Sequence, residues 1–281
     1  LNRTIRLGAP DKRIYLSRAQ AYRQLGQYDQ AISDLEQAIR LDPRDGSAYF
    51  ERGQIYQALG LVEQAIDSYY LADFGSDQHQ QIVEYLTEAL YENPQDATAS
   101  ALRGRVYSEL GQYHIAVDDL DRAIRLKSKD GQARVEQAKD YLERGIVYTN
   151  LEEFDLAAED LNRAIRLDPA NFEGYHNQGL LHHQSGRFME AVRDFDHAIS
   201  LDPGNAAVYK DRGKTYLQLG RNERAIQDLN RAIALDPSLA EAHLLTGQSH
   251  LALAQYEAAV VNLTEAIHWG RHKFGRTPPL A

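Results

Sequence analysis

The sequence predicts an all-α solenoid of stacked helix–turn–helix units. Three observations carry that expectation. A ten-residue phrase returns along the chain, a set of glycines keeps the same step, and small and large residues alternate at helical spacing. The phrase is "DLEQAIRLDP" ending at Pro43, then "DLDRAIRLKS", "DLNRAIRLDP" ending at Pro169, "DFDHAISLDP" ending at Pro203 and "DLNRAIALDP" ending at Pro237. The steps from Pro169 to Pro203 and on to Pro237 are both 34 residues. A fixed period of this length is the mark of a repeat array.

Aligned on that step, seven units start near Lys12, Gly46, Ala97, Ala138, Phe172, Ala206 and Ala240. Position 4 is Tyr in five units, and position 11 is Tyr in five. Position 8 is Gly in six units and Ala19 in the first. Positions 20 and 27 are Ala throughout, from Ala31 to Ala259 and from Ala38 to Ala266. Positions 4, 8 and 11 share one face of a first helix, and 20, 24 and 27 share one face of a second. Small residues at 8, 20 and 27 let the two helices approach closely. Large ones at 4, 11, 17 and 24 fill the gaps, so the tyrosines there read as packing. Gly at position 15 supplies the positive φ that stops the first helix. Asp-Pro at 31–32 stops the second, because Pro cannot continue it. Arg at position 7 recurs with Asp at position 23 in four units, and the seventh unit loses both together (Thr246, Asn262). That correlation predicts an Arg–Asp pair clamping the two helices of a unit.

This pattern resembles the tetratricopeptide repeat, whose 34-residue helix–turn–helix unit has the same set of small and large positions. The resemblance implies a right-handed superhelix with first helices on the concave face and second helices on the convex face. It also implies a non-catalytic scaffold for protein–protein interaction, since the fold brings no catalytic group of its own.

Where the pattern breaks, it predicts departures from regular stacking. Residues 1–9, "LNRTIRL" and its turn, match the second half of a second helix. Units 1–2 fill 10–75. From Pro43 to Pro94 the step is 51 residues, half a repeat too long. The excess, 76–94, reads as one extra amphipathic helix near 78–92 through Ile82, Val83, Leu86, Ala89 and Leu90. Units 3–7 fill 95–270. From Gly104 to Gly145 the step is 41, which predicts a first helix lengthened by about two turns, near 132–150. The last helix is expected to finish near His268–Trp269, with Gly270 interrupting it and 271–281 as a Pro-rich tail. Both ends of the array read as uncapped, as in a piece of a longer array or a subunit that stacks end to end. Candidate end-to-end contacts are Leu1, Ile5, Leu7, Tyr256, Val260, Trp269 and Phe274.

Composition excludes several chemistries. There is no Cys among 281 residues, so thiolate zinc sites, iron–sulfur clusters and cysteine nucleophiles are out. Lys+Arg is 31 against Asp+Glu 41, a net charge of −10, which is a poor basis for binding nucleic acid through phosphate. No apolar run reaches the length of a membrane span. No Ser/His/Asp order, phosphate-cradling glycine loop or nucleotide fingerprint is present. No catalytic residue, cofactor or metal ligand is therefore assigned. His176 and His183 are seven apart on one helix, but no carboxylate sits at suitable spacing beside them, so they read as groove surface.

In the family, ligand contacts come mainly from positions 2, 5, 6, 9, 12 and 13 of the first helices. The carboxylate clamp for acidic chaperone C-termini wants Lys at position 5. Leu16, Phe50, Ala101, Leu142 and Leu244 stand there instead, and only Asn177 matches a clamp position. The best candidate groove is in units five and six: His176, Asn177, Leu180, His183, Lys210, Asp211, Lys214 and Leu217. It reads as a polar, partly cationic patch for an acidic or extended peptide. The partner is expected to be a protein or peptide segment, with other copies of the chain as the alternative.

Overall fold

The computed structural model describes residues 11–43, 45–72, 78–128 and 134–273. Every regular element among them is a helix. The chain divides into two compact units, 1–133 and 134–281. The first holds α1 (Lys12–Gln24), α2 (Tyr28–Leu41), α3 (Gly46–Ala58), α4 (Val62–Tyr70), α5 (His79–Glu92), α6 (Ala97–Glu109) and α7 (Tyr113–Lys127). The second holds α8 (Arg134–Asn150), α9 (Phe154–Leu167), α10 (Phe172–Gln184), α11 (Phe188–Leu201), α12 (Ala206–Gln218), α13 (Asn222–Leu235), α14 (Ala240–Ala252) and α15 (Tyr256–Lys273). Each unit is a run of antiparallel helix hairpins of the expected solenoid type.

Each hairpin turn is closed the same way. The position-16 N–H donates to the position-11 carbonyl, as in Gln27 to Tyr22 at 2.9 Å and Arg187 to His182 at 2.8 Å. That bond requires a left-handed residue at position 15. Five glycines meet the requirement, with φ between 69° and 75°. Two other units hold side chains there, Glu152 at φ 60° and Ala254 at φ 56°. Position 34 starts the next helix. Asp45, Asp96, Asn171 and Asn205 each accept a backbone N–H of the first turn.

Position 8 fixes the separation of the two helices. A Cβ added to Gly179 would lie 2.6 Å from the Phe195 ring, and one on Gly213 would lie 2.8 Å from Leu229. The same holds for Gly53 over Tyr69 and Gly104 over Leu120. Position-24 residues Tyr69 and Phe195 head the largest fully buried side chains, and Leu35, Leu120, Leu161 and Leu229 are among them.

The Arg–Asp clamp is present in all four units that carry both residues. Arg103 donates twice to Asp119, both at 2.7 Å. Arg144 donates to Asp160 at 2.6 and 2.7 Å, and Arg212 to Asp228 at 2.7 Å twice. Arg18 holds Asp34 in the same bidentate way. The guanidinium lies between the rings of positions 4 and 11, for example Tyr141 at 5.6 Å and Tyr148 at 5.7 Å from Arg144. Some clamps also reach the preceding hairpin. Arg212 donates to Asp196 of α11 at 2.5 Å, and Gln178, which replaces Arg in its unit, donates to Asn162 of α9 at 2.9 Å. Burial alone would lower the Arg212 pKa, but its hydrogen bonds to Asp228 and Asp196 raise it instead. In the unit without the Arg, Asp194 bonds His182 at 2.5 Å.

The irregular region has its own fastening. α4 has nine residues against fourteen in α2. Arg105 of α6 closes its end, donating to the carbonyls of Tyr70 at 2.8 Å and of Tyr69 and Ala72 at 3.3 Å. A cation at helix carbonyl groups satisfies acceptors that have no partner within the helix. α5 packs against α6 and shares one core with α3, α4 and α6, centred on Tyr69, Ile82, Leu86 and Leu102.

One expectation is corrected. α15 runs through Gly270 to Lys273 rather than ending near residue 268, because a single Gly weakens a helix by only about 1 kcal/mol. α8 is the lengthened first helix, with 17 described residues, Arg134–Asn150, against 13 in its counterparts.

Two substitutions test this account by urea denaturation. Gly213→Ala should cost about 1–3 kcal/mol, because Leu229 must give way. Ala254→Gly should add about 1 kcal/mol, because it removes a left-handed side chain. Equal stabilities for all three proteins would contradict the packing and turn geometry described. Arg212→Met should cost about 3 kcal/mol, since Asp228 is left as a buried carboxylate without its partner. A loss under 1 kcal/mol would show that the clamp is dispensable.

Candidate protein-binding groove

In the second unit the first helices α10, α12 and α14 lie side by side, and polar side chains join them. His176 Nε2 meets Asp211 Oδ2 at 2.8 Å. His183 Nδ1 meets Thr215 Oγ1 at 2.8 Å. Lys210 Nζ donates to Glu241 Oε2 at 3.0 Å and sits 3.3 Å from Asp211 Oδ1. Lys214 Nζ donates to the other Glu241 oxygen at 3.4 Å. α10, α12 and α14 therefore present a continuous hydrogen-bonded layer. The first unit has a similar link, with Gln20 donating to Glu51 at 3.1 Å and Arg23 to Gln54 at 2.6 Å.

These bonds change the expected electrostatics. The patch was expected to be partly cationic. In the structure both lysines are matched by the two carboxylates Asp211 and Glu241, so the charge of the cluster cancels. The physical reason is the spacing of the helices, which brings position 2 of one unit onto positions 5 and 9 of the preceding one. Burial pushes the Asp211 carboxyl up, but the His176 hydrogen bond and the Lys210 charge outweigh it and hold it below its usual value. Glu241 behaves likewise, lowered against its burial by Lys210 and Lys214. Burial would also lower the Lys210 pKa, but Asp211 and Glu241 raise it. His183 is lowered, mainly by burial and then by the Lys214 charge.

The remaining residues of the predicted patch give it its shape. Asn177 donates to the Glu173 carbonyl at 2.9 Å, which leaves its amide oxygen unused by that bond. Leu180 and Leu217 are half-buried. Two leucines that the patch did not include, Leu244 and Leu251, are 41% and 47% exposed on α14. Glu241, Thr215 and Leu251 are what sequence reasoning missed, and Leu244 enters it only as the residue standing in place of a clamp lysine. Glu241 and Leu251 stand at positions 2 and 12, so extending the groove positions into unit seven finds them.

Of the end-to-end candidates, Tyr256 and Val260 are 61% and 65% exposed on α15. Trp269 is half-buried and meets the His268 ring at 5.1 Å. Leu1, Ile5, Leu7 and Phe274 lie outside the described residues. No helix among the described residues is long and apolar enough to cross a membrane.

Helix hairpins stacked in register, with one layer of first helices presenting variable side chains, define a repeat scaffold for protein interaction. The chain belongs to the tetratricopeptide repeat family. A TPR repeat model matches residues 19–60, 145–186 and 213–254, and further tetratricopeptide repeat models match 97–130, 172–205 and 195–227. Among solved structures, a tetratricopeptide repeat protein from Parabacteroides merdae is 21% identical, covers 94% of each chain and has a TM-score of 0.57. The APC/C hetero-tetramer Cut9-Hcn1 is 16% identical with a TM-score of 0.62, covering 86% of this chain and 50% of that one. Residues 41 to the end of MamA from Desulfovibrio magneticus are 18% identical with a TM-score of 0.54, covering 64% and 97%. At these identities the likeness is one of fold. No curated protein matches the sequence significantly.

The lowered pKa of His183 has a testable sign. Its unfolded form takes up a proton near pH 6.5 while the folded form resists, so stability falls as pH drops through that value. His183→Gln removes this component. The urea midpoint of the variant should fall less than that of the parent between about pH 7.5 and 5.5. Parallel pH profiles would refute the assignment.

Proposed function

We propose that this chain is a non-catalytic scaffold that holds a protein or peptide segment on the first-helix layer of α10, α12 and α14. The observation that supports this reading most is the combination of exposed leucines, Leu244 and Leu251, with the hydrogen-bonded polar layer beside them. Apolar side chains at a rigid concave surface give a ligand something to bury, and the interhelix bonds hold the surface preformed. Asn177, Leu180, His183, Lys214 and Leu217 are the further contacts assigned to the groove. The test is site-specific photocrosslinking. A benzophenone side chain at position 217 or 251 should capture bound segments, and one at exposed Glu223 on α13 should not. Equal capture from both faces would end the groove reading.

One observation favours a second reading, in which copies associate end to end. Positions 21 and 28 are apolar in the second helices and are covered by the next hairpin. In the second unit Val192 is 6% exposed, and Ile165 lies 2.9 Å from a Cβ built on Gly174 of the next hairpin. On α15 the equivalent residues Val260 and Ile267 are 65% and 57% exposed, and Tyr256 adds to the same surface. Sedimentation velocity over a range of concentrations separates the readings. The groove reading expects one monomeric species throughout. Growing assemblies that Val260→Asp and Ile267→Asp dissolve would favour the second.

A further inference from the structure

We infer that the segment held by α10, α12 and α14 is uncharged and apolar, recognised through amide groups and leucine side chains and not through carboxylates. This inference rests on the groove reading and names the ligand class for it.

The charges of the layer are used up internally. Lys210 lies within 3.3 Å of Asp211 and 3.0 Å of Glu241, and Lys214 reaches the second oxygen of Glu241. An acidic ligand would have to displace these carboxylates from their own cations. It would also approach two fixed negative groups, which opposes binding. A basic ligand meets the two lysines in the same way. The layer therefore discriminates against ionic segments of either sign.

The uncharged groups point the other way. Thr215 Oγ1 donates to the Asp211 carbonyl at 2.8 Å. The same hydroxyl lies 2.8 Å from His183 Nδ1. Burial lowers the His183 pKa, which favours the uncharged ring. Asn177 has a carbonyl oxygen to offer, because only its amide nitrogen bonds Glu173. Gln184, Gln218 and Gln248 are exposed at positions 13, 13 and 9 of the same three helices. Such amides pair with the N–H and C=O groups of an extended backbone, whatever its sequence. Specificity then falls to the leucines. Leu180 and Leu217 are half-buried, and Leu244 and Leu251 are more than two-fifths exposed. They offer apolar surface that only apolar side chains can cover with gain.

The experiment is selection from a display library of random short peptides on the full chain, followed by affinity measurement on synthetic versions. Selected peptides should carry Leu, Ile, Met or Phe without enrichment in Asp or Glu. Their affinity should change less than about threefold between about 0.05 and 0.5 M salt, because screening acts on charge pairs. Leu217→Asp should weaken binding by about tenfold or more. Leu251→Gln, a milder change at an exposed site, should weaken it in the same direction, with helical content checked for both. Lys214→Gln should leave it within about threefold. Peptides rich in Asp or Glu, losing affinity with salt and with Lys214→Gln, would overturn this inference and leave the groove reading standing. Peptides whose binding ignores all three substitutions, or no peptides at all, would overturn both.

Discussion

The close approach of paired helices at position 8 is the constraint on which the rest of the structure depends. A methyl group there would stand 2.6–2.9 Å from the position-24 side chain in six units. Only Gly, or Ala19 over Leu35 in the first unit, fits. The consequences follow by geometry. Helices this close bring position 7 within reach of position 23, so an arginine and an aspartate sixteen residues apart form a bidentate pair. The pair is largely shielded from water, and its charges are tolerable because each is matched and hydrogen-bonded. The flanking tyrosines complete the shield by placing ring faces about 6 Å or less from the guanidinium.

A second regularity governs how one hairpin addresses the next. First-helix contacts recur at a separation of 31 residues: Gln20 with Glu51, Arg23 with Gln54, Lys210 with Glu241. This is the repeat length less one helical turn, as side-by-side helices in register demand. Each first helix therefore sets the electrostatics of its neighbour. A lysine at a groove position is occupied where an acidic residue of the next first helix comes within reach, as Glu241 does 31 residues after Lys210 and 27 after Lys214. Both Lys210 and Lys214 are committed in this way, and the apparent cation patch becomes a neutral layer.

How much could be read from the sequence follows from this hierarchy. The helices, their turns and the Arg–Asp clamp were legible because seven aligned units repeat the same answer, so each position carries several independent observations. The groove was legible only as a set of positions. Its chemistry depends on pairs between units, and each such pair occurs once. Glu241 was missed for that reason, and Arg105 too, since its position in other units faces the groove and here it closes a shortened helix. The end of α15 was misjudged because Gly270 was treated as a stop. Glycine stops a helix when the chain turns into the left-handed region, as at Gly220 with φ 69°; at an ordinary helical position it only weakens it.

The division of labour within the repeat explains why the scaffold can be certain while its ligand is open. Positions 4, 7, 8, 11, 20, 23, 24 and 27 are tied to one another by contact, so a change at one is met by a change at its partner or by a new bond, as Asp194 takes His182 where Gln178 replaces Arg. The seventh unit illustrates this. It gives up Arg and Asp together, and Thr246 and Asn262 then satisfy themselves on their own helices, bonding the carbonyls of Ala242 and Ala258. Positions 2, 5, 9 and 12 are tied only across the layer of first helices. Where that layer spends its charges on itself, as between α12 and α14, what it still presents to a partner is apolar surface and neutral hydrogen-bonding groups. On the proposed groove reading, recognition there rests on shape, apolar contact and backbone pairing.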